Sequence, residues 1–243
     1  MLELSERHKA LLKAIVELYV KTGEPIGSET IEKNFNLGVS PATIRNDMVA
    51  LSEQGLLRQP HTSAGRVPTS MGYKVYISDL MKEKELPISA EVAMKEHLWQ
   101  QRYKEQKLLR EAVRALAFRC QMLALAVDAE GELYYAGAAN ILDFPEFEDI
   151  DVTRFVLSLF DEYPRLQQII GQAQGADPLH VLFGDEMGFA QMVSTGFVFC
   201  KYENREGSQG VIGVIGPARM NFPVVLPYVK YTSKLIEQAL KSY

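Results

Sequence analysis

The sequence predicts an α+β protein in which an N-terminal winged helix-turn-helix domain is followed by an α+β domain of the sensor type. The first observation behind this prediction is a series of three short amphipathic segments followed at once by a basic hairpin. The second is a change of pattern after residue 119, where apolar strands alternate with helical segments. Strands and helices that share one sheet in this way are typical of an α+β domain.

The amino-acid composition is that of an ordinary globular protein, with 47% hydrophobic and 23% charged residues. No run of about 18 apolar residues occurs, so no transmembrane helix is expected, and the N-terminus lacks the pattern of a secretory signal. Cys120 and Cys200 form neither a metal-binding pattern nor a disulfide framework. These features favour a cytoplasmic protein that does not use a membrane.

The net charge of −5 is unevenly distributed along the chain. Residues 1–80 hold nine basic and nine acidic side chains, so the acidic excess lies in the rest of the chain. No acidic residue occurs between Glu53 and Asp79, a window that contains Arg58 and Arg66. Because phosphate contact depends on local potential rather than on total charge, this window predicts a surface that binds nucleic acid.

Helical spacing of apolar residues predicts three helices near the N-terminus, over residues 5–21, 29–35 and 40–54. Ser5, Ser28 and Ser40 stand where each helix begins, and serine is a favoured N-cap residue. Pro41 then occupies the first position of the third helix, where its missing N–H has no consequence. A short second helix, a turn and a third helix together form a helix-turn-helix.

The third helix is predicted to present two different faces. Its apolar residues Ile44, Met48 and Leu51 recur at positions i, i+4 and i+7 and should face the core. The polar residues near its N-terminus are the positions at which a recognition helix contacts base edges; the candidates are Ser40, Thr43, Arg45 and Asn46. Arginine can bind guanine and asparagine can bind adenine through two hydrogen bonds. A solvated helix face without function is the alternative.

A hairpin is predicted directly after this helix, with strands over residues 56–59 and 66–68. The turn between them contains Gly65, which could adopt a positive φ. A hairpin behind a recognition helix is a wing, and its polar side chains are expected on phosphates or in the minor groove; the candidates are Arg58, His61, Ser63 and Arg66. An ordinary exposed hairpin is the alternative.

The remainder of the chain divides at a charged hinge over residues 82–87. This gives a winged helix domain over 1–82, a linker and long helix over 83–118, and a regulatory domain over 119–243. Residues 89–118 are predicted to form one helix with a broken apolar stripe. That stripe could seal the second domain, or it could pair with a second copy of the chain in a dimer.

The second domain is predicted to combine strands and helices on one sheet. Strands are expected over residues 120–128, 133–140, 179–183, 196–202 and 210–216. Helices are expected over residues 152–160, 163–173 and 223–242.

No combination of residues predicts catalysis. The four histidines are scattered along the chain, and no phosphate-binding loop motif is present. The glycine spacing within 210–216 does not match a dinucleotide-binding fingerprint, and Asp185 with Glu186 after a strand is more typical of a solvated turn than of a metal site. The sequence therefore predicts neither an enzyme nor a cofactor or metal.

Several segments along the chain form a recognisable set of motifs: Val-Ser-Pro-Ala-Thr-Ile-Arg-Asn-Asp-Met at 39–48, Gly-Leu-Leu at 55–57, Pro-His-Thr-Ser-Ala-Gly-Arg-Val-Pro-Thr at 60–69, Gly-Tyr-Lys-Val-Tyr at 72–76, 139–142, 145–147, 213–220 and 228–229. Together these segments resemble the heat-inducible transcription repressor family HrcA. The resemblance implies a repressor of heat-shock chaperone operons that binds an inverted-repeat operator, CIRCE, as a homodimer. It also implies that a GroE-type chaperonin helps to keep the repressor active, and that the second domain is GAF-like.

The chain differs from this family in length. Family members carry a dimerising domain inserted into the GAF-like domain, whereas here residues 123–128 pass through Glu130 and Gly131 directly to residues 133–137. The chain therefore resembles a short form in which a simple hairpin replaces the insertion. We expect it to dimerise nevertheless, through the 89–118 segment or the GAF-like surface. A small-molecule-gated regulator acting through the GAF-like domain is the alternative function.

Overall fold

The computed structural model describes residues 4–35 and 37–242. The chain folds into two compact units, Met1–Lys82 and Glu83–Tyr243. The α+β class predicted from the sequence is confirmed. None of the helices in the described ranges has the length and hydrophobicity needed to cross a membrane.

In residues 4–35 and 37–82, the first unit contains four α-helices and a short antiparallel hairpin. Its elements are α1 (Glu6–Thr22), α2 (Ser28–Asn34), α3 (Pro41–Glu53), β1 (Leu57–Arg58), β2 (Val67–Pro68) and α4 (Ser70–Val75), which continues into a π-helical turn, Tyr76–Leu80. Helix α3 packs on α1 and α2, and the hairpin follows α3 directly. This is the predicted winged helix, with α3 in the position of the recognition helix.

Two of the three predicted serine N-caps are confirmed, and the third is wrong. The side chains of Ser5 and Ser40 accept hydrogen bonds from the third residue after each of them, so both are N-caps. Ser28 is instead the first residue inside α2, and Gly27 occupies the N-cap without a side-chain bond. The prediction for Ser28 was wrong by one position, because serine is also tolerated in the first helical turn.

The second unit is built on a five-stranded sheet. Its elements are α5 (Ile88–Trp99), α6 (Glu105–Cys120), β3 (Leu123–Val127), β4 (Leu133–Ala136), α7 (Ile150–Ser158), α8 (Tyr163–Gly171), β5 (Leu179–Phe183), β6 (Thr195–Glu203), β7 (Gln209–Pro217) and α9 (Phe222–Lys241). The strand order is β4-β3-β7-β6-β5, and every neighbouring pair is antiparallel.

Both faces of this sheet are buried. Helices α6 and α9 pack on one face. The other face carries a continuous apolar core that includes Leu125, Phe197 and Ile215 together with Val156 of α7 and Ile169 of α8. Because the two faces are covered, β3 and the middle of β7 contain apolar residues or glycine at successive positions, as expected for strands buried on both sides.

The prediction of one helix over residues 89–118 is wrong. The chain forms α5 and α6 with a break between them, and Lys104 adopts an extended conformation before α6 begins. Ala90, Met94 and Leu98 of α5 are buried, and α5 packs on α6 and α9. Burial of this face seals the second unit, which was one of the two alternatives for the apolar stripe.

A tight hairpin joins β3 to β4, as predicted for the short form. The carboxylate of Asp128 accepts hydrogen bonds from the backbone N–H groups of Glu130, at 3.1 Å, and Glu132, at 2.8 Å. The hydroxyl of Tyr134 donates to the other carboxylate oxygen at 3.0 Å. Strand β4 is shorter than predicted, because Gly137 has a φ of 74° and the chain then enters a 3₁₀ turn.

Candidate nucleic-acid interface

Helix α3 begins with a fixed N-terminal turn. The hydroxyl of Ser40 accepts a hydrogen bond from the backbone N–H of Thr43 at 3.3 Å, and the two hydroxyls lie 3.1 Å apart. Pro41 follows in the first helical position. This geometry sets the direction in which the next side chains leave the helix, since capping orders the turn from which they project.

The two faces of α3 are separated as the spacing predicted. Ile44, Met48 and Leu51 are buried in the first unit. Arg45 and Asn46 are exposed, whereas Thr43 is half-buried beside Ser40. The exposed pair therefore has the freedom to meet a ligand, while the apolar face anchors the helix to its unit.

Asp47 connects α3 to α1, a contact that sequence reasoning missed. Its carboxylate is bound by the guanidinium of Arg7 on α1, with Nε–Oδ2 at 2.7 Å and a second bond at 3.0 Å. Nε2 of His8 lies 3.4 Å from the same carboxylate. The bond to Arg7 is the main cause that holds the pKa of Asp47 below its ordinary value of 3.8.

This cluster has two consequences for the neighbouring Arg45 and Asn46. It fixes α3 against α1 through a bidentate pair, the geometry in which arginine binds carboxylate most specifically. It also balances the negative charge of Asp47 locally, so that this charge reduces the positive potential around Arg45 less than an unpaired carboxylate would. No local signal in the sequence links residue 47 to residues 7 and 8.

The loop of the wing holds itself in shape with side-chain to backbone bonds. Nε2 of Gln59 donates to the carbonyls of Thr62 and Ala64, both at 2.9 Å. Nδ1 of His61 lies 3.4 Å from the hydroxyl of Ser63. Arg58, His61 and Ser63 are all exposed. Gln59, which sequence reasoning also missed, therefore preorganises the loop that carries the candidate contacts.

Arg66 is placed differently from the other wing candidates. Its backbone pairs with Ile26, through bonds of 2.8 and 2.9 Å, and its Nε donates to the hydroxyl of Ser52 at 3.1 Å. Ser52 belongs to the last turn of α3 and donates in turn to the carbonyl of Met48. Arg66 thus ties the base of the wing to the end of α3 and lies half-buried.

Gly65 is required for a reason other than the predicted one. The φ of Gly65 does not lie in the left-handed region. A Cβ atom built on it would lie 2.3 Å from the carbonyl oxygen of Ile26, which is backbone and cannot move aside. The glycine is therefore needed because the wing approaches the loop before α2 closely, and not because of turn geometry.

In the part of the chain that the structure describes, no group of three or more His, Cys, Asp or Glu side chains is arranged to hold a metal ion. Cys120 and Cys200 are buried and unpaired, and burial raises the pKa of each thiol to about 12.

Two family models match the chain. The model described as winged helix-turn-helix transcription repressor, HrcA DNA-binding, matches residues 3–82, and the model described as HrcA protein C terminal domain matches residues 73–226. A heat-inducible transcription repressor HrcA of Syntrophobacter fumaroxidans is 25% identical, with 99% of each chain covered. The protein of that name from Symbiobacterium thermophilum is 27% identical, with 92% of this chain and 95% of the relative covered.

A solved structure shares the fold. A crystal structure of a hypothetical protein at 2.2 Å resolution superposes with a TM-score of 0.80 at 18% identity, and 99% of each chain is covered. The alignment with the Syntrophobacter relative extends over 343 positions, whereas this chain has 243 residues, so roughly a hundred positions have no counterpart here. The two family models together extend over almost the whole chain, and the chain therefore belongs to the HrcA family of winged helix transcription repressors.

Proposed function

We propose that this repressor binds an inverted-repeat operator of the CIRCE type, upstream of heat-shock chaperone genes, as a homodimer. The observation that supports this proposal best is the exposed pair Arg45 and Asn46 at the capped end of α3, next to a wing with exposed Arg58 and His61. Family membership supports the repressor role and gives no support to the small-molecule-gated alternative. A protein that acts on bacterial DNA works in the cytoplasm.

The side chains of α3 divide the work of recognition. Arg45 and Asn46 contact base edges in the major groove, since both can form bidentate bonds with a purine. Thr43 approaches the same groove from the half-buried side of the turn. Ser40 contributes at the helix N-terminus, where backbone N–H groups and the helix dipole favour a phosphate.

The wing holds the DNA without reading it. Arg58, His61 and Ser63 contact phosphates or the minor groove beside the recognition helix, a contact that sets register and is sensitive to salt. Arg66 supports the base of the wing through Ser52 and approaches the DNA backbone from there.

A GroE-type chaperonin keeps the repressor dimer active. On heating, unfolded proteins occupy the chaperonin, so the repressor loses this support and its activity falls.

The base-reading role is tested with Arg45→Ala and a matched control, Arg154→Ala, which removes an exposed arginine of the second unit. Operator binding is measured by fluorescence anisotropy on the inverted repeat and on each single-base variant of one half-site. Loss of Arg45 should cost about 1–3 kcal/mol and relax specificity at one position. If Arg45→Ala and Arg154→Ala bind every sequence alike, α3 is not the reading helix.

The wing role is tested by the salt dependence of binding. Arg58→Ala should weaken operator and random DNA to a similar extent and reduce the slope of log K against log salt by about 1. Arg66→Ala is measured in parallel, with a thermal melt to detect loss of the bond to Ser52. An Arg66→Ala protein that melts normally and binds both DNAs unchanged excludes this residue from the wing contact.

A further inference from the structure

Helix α5 has apolar residues on two opposite faces. The inner face, Ala90, Met94 and Leu98, is buried against its own unit. On the outer side, Ile88 is 78% exposed, Val92 48% and Trp99 38%. At about 100° per residue these three side chains lie within about 40° of one another, so they form one stripe along the helix.

Trp99, one residue of the stripe, is held in place before any partner arrives. The guanidinium of Arg102 lies 5.3 Å from the centre of the Trp99 ring and also donates to the Trp99 carbonyl at 2.7 Å. His97 on the same helix is held 2.6 Å from Glu111 of α6. A fixed aromatic side chain loses little conformational entropy on binding, which is the property of residues that dominate interfaces.

We propose that this outer stripe of α5 is where two copies of the chain pair, with the two α5 helices antiparallel across a two-fold axis. The proposal rests on the proposed function in one respect, since a two-fold operator requires two recognition helices in one particle. The structure adds the location of the contact and the orientation of the helices.

Charge selects the antiparallel orientation. Lys95 lies in the same stripe and is exposed, and Glu91 borders it. Parallel helices would place Lys95 against Lys95 at the same level, a repulsive pairing. In the antiparallel arrangement, Ile88 of one copy lies opposite Trp99 of the other. Lys95 of each copy is then level with Val92 of the other copy, and Glu91 of that other copy is one residue away. The two-fold axis then generates this favourable pair twice.

The size of the contact predicts a weak dimer. Twelve residues of α-helix extend about 18 Å, and a single pair of such helices buries less than the roughly 1,200 Å² of a standard interface. Dissociation in the micromolar range is therefore expected for the free protein. Two winged helix units on one operator then strengthen the assembly by avidity.

The experiment uses the full chain and sedimentation at a series of concentrations without DNA. Val92→Glu should raise the dimer dissociation constant about tenfold or more, because it places a charge in the apolar contact. Val193→Glu, at an exposed valine on another surface of the same unit, should leave it unchanged. Equal dissociation constants for both variants, with normal melts, overturn the proposal, as does a wild-type chain that is monomeric at about 100 μM.

Charge reversal and cross-linking test the orientation. Lys95→Glu alone should weaken the dimer, and the added change Glu91→Lys should restore it. Ile88→Cys mixed with Trp99→Cys should cross-link, whereas Ile88→Cys alone should not; the native cysteines are buried. Cross-linking of Ile88→Cys with itself and not with Trp99→Cys overturns the antiparallel arrangement.

Binding to a single half-site separates this proposal from the proposed function. Val92→Glu should bind one half-site as the wild-type chain does and lose only the additional affinity for the full repeat. If the wild-type chain dimerises as described but binds no operator, the operator assignment fails while the interface stands.

Discussion

Each unit of the protein contains a nearly buried aspartate, and the two differ in the distance over which they act. Asp47 in the first unit is 7% exposed and binds Arg7, which is 40 residues away on another helix. Asp128 in the second unit is 6% exposed and binds backbone and side-chain groups no more than six residues away. The first carboxylate joins two helices, and the second shapes one turn.

This difference indicates which of the two buried aspartates affects the candidate DNA-binding residues. Asp47 follows Arg45 and Asn46 on the recognition helix, so its partner on α1 sets the position of the side chains that we propose to read bases. Asp128 closes the hairpin between β3 and β4, at a site far along the chain from any candidate DNA contact. Burial of an aspartate therefore does not show by itself whether the residue affects DNA binding, whereas the positions of its hydrogen-bond partners do.

The largest effect is expected for Asp47→Ala. The substitution removes two charge-assisted bonds to a partly exposed arginine, so the first unit should lose about 2 kcal/mol of stability. Operator affinity should also fall, although the residue contacts no DNA in our proposal. Thermal unfolding and anisotropy on the same samples measure both. Unchanged stability together with lost DNA binding would contradict a positioning role and indicate direct contact.

A smaller effect, confined to the second unit, is expected for Asp128→Ala. The exposed residues Glu130 and Glu132 lose an acceptor for their backbone N–H groups that water can replace, and the buried Tyr134 hydroxyl loses its acceptor as well, which should cost about 1 kcal/mol. Binding to a single half-site should remain at the wild-type level. Hydrogen exchange of the 128–132 backbone locates the change. A loss of half-site binding equal to that of Asp47→Ala would remove the contrast between the two aspartates.

The smallest effect is a difference in acid sensitivity. The pKa of Asp47 is lowered in the folded protein, so its stabilising contribution is fully present above the unfolded value of about 3.9 and is lost as the pH falls through the folded value. Below about pH 4, the wild-type first unit should therefore lose stability more steeply with falling pH than Asp47→Asn. Urea unfolding at each pH gives the slopes, and parallel slopes would refute the linkage.

Local patterns predicted much of the fold. The Ser40 cap, the buried Ile44, Met48 and Leu51, and the exposed Arg45 and Asn46 all follow from helical spacing, because each depends on residues within one or two turns. The simple hairpin at residues 128–132 was predicted from the turn residues Glu130 and Gly131 and from the length of the chain relative to the family it resembles. The prediction of a single helix over residues 89–118 was wrong, because residues 100–104 contain no strong helix-terminating signal.

Other features depend on residues that are distant in sequence. Gly65 was predicted for its ability to adopt a positive φ, whereas it is required because the carbonyl of Ile26 lies close to it. Arg66 was predicted only as a polar side chain of the wing, and its bond to Ser52 at the end of α3 was not foreseen. Each of these features follows from a contact between segments, which no property of the local sequence specifies.

The sequence by itself determined the order of elements, the two faces of the recognition helix and the family to which the chain belongs. Tertiary structure alone decided that Asp47 is bound by Arg7, and that α5 buries one apolar face and exposes another. The physical reason is that hydrophobic spacing reports which residues avoid water. It does not report which distant segment, or which second copy of the chain, covers them.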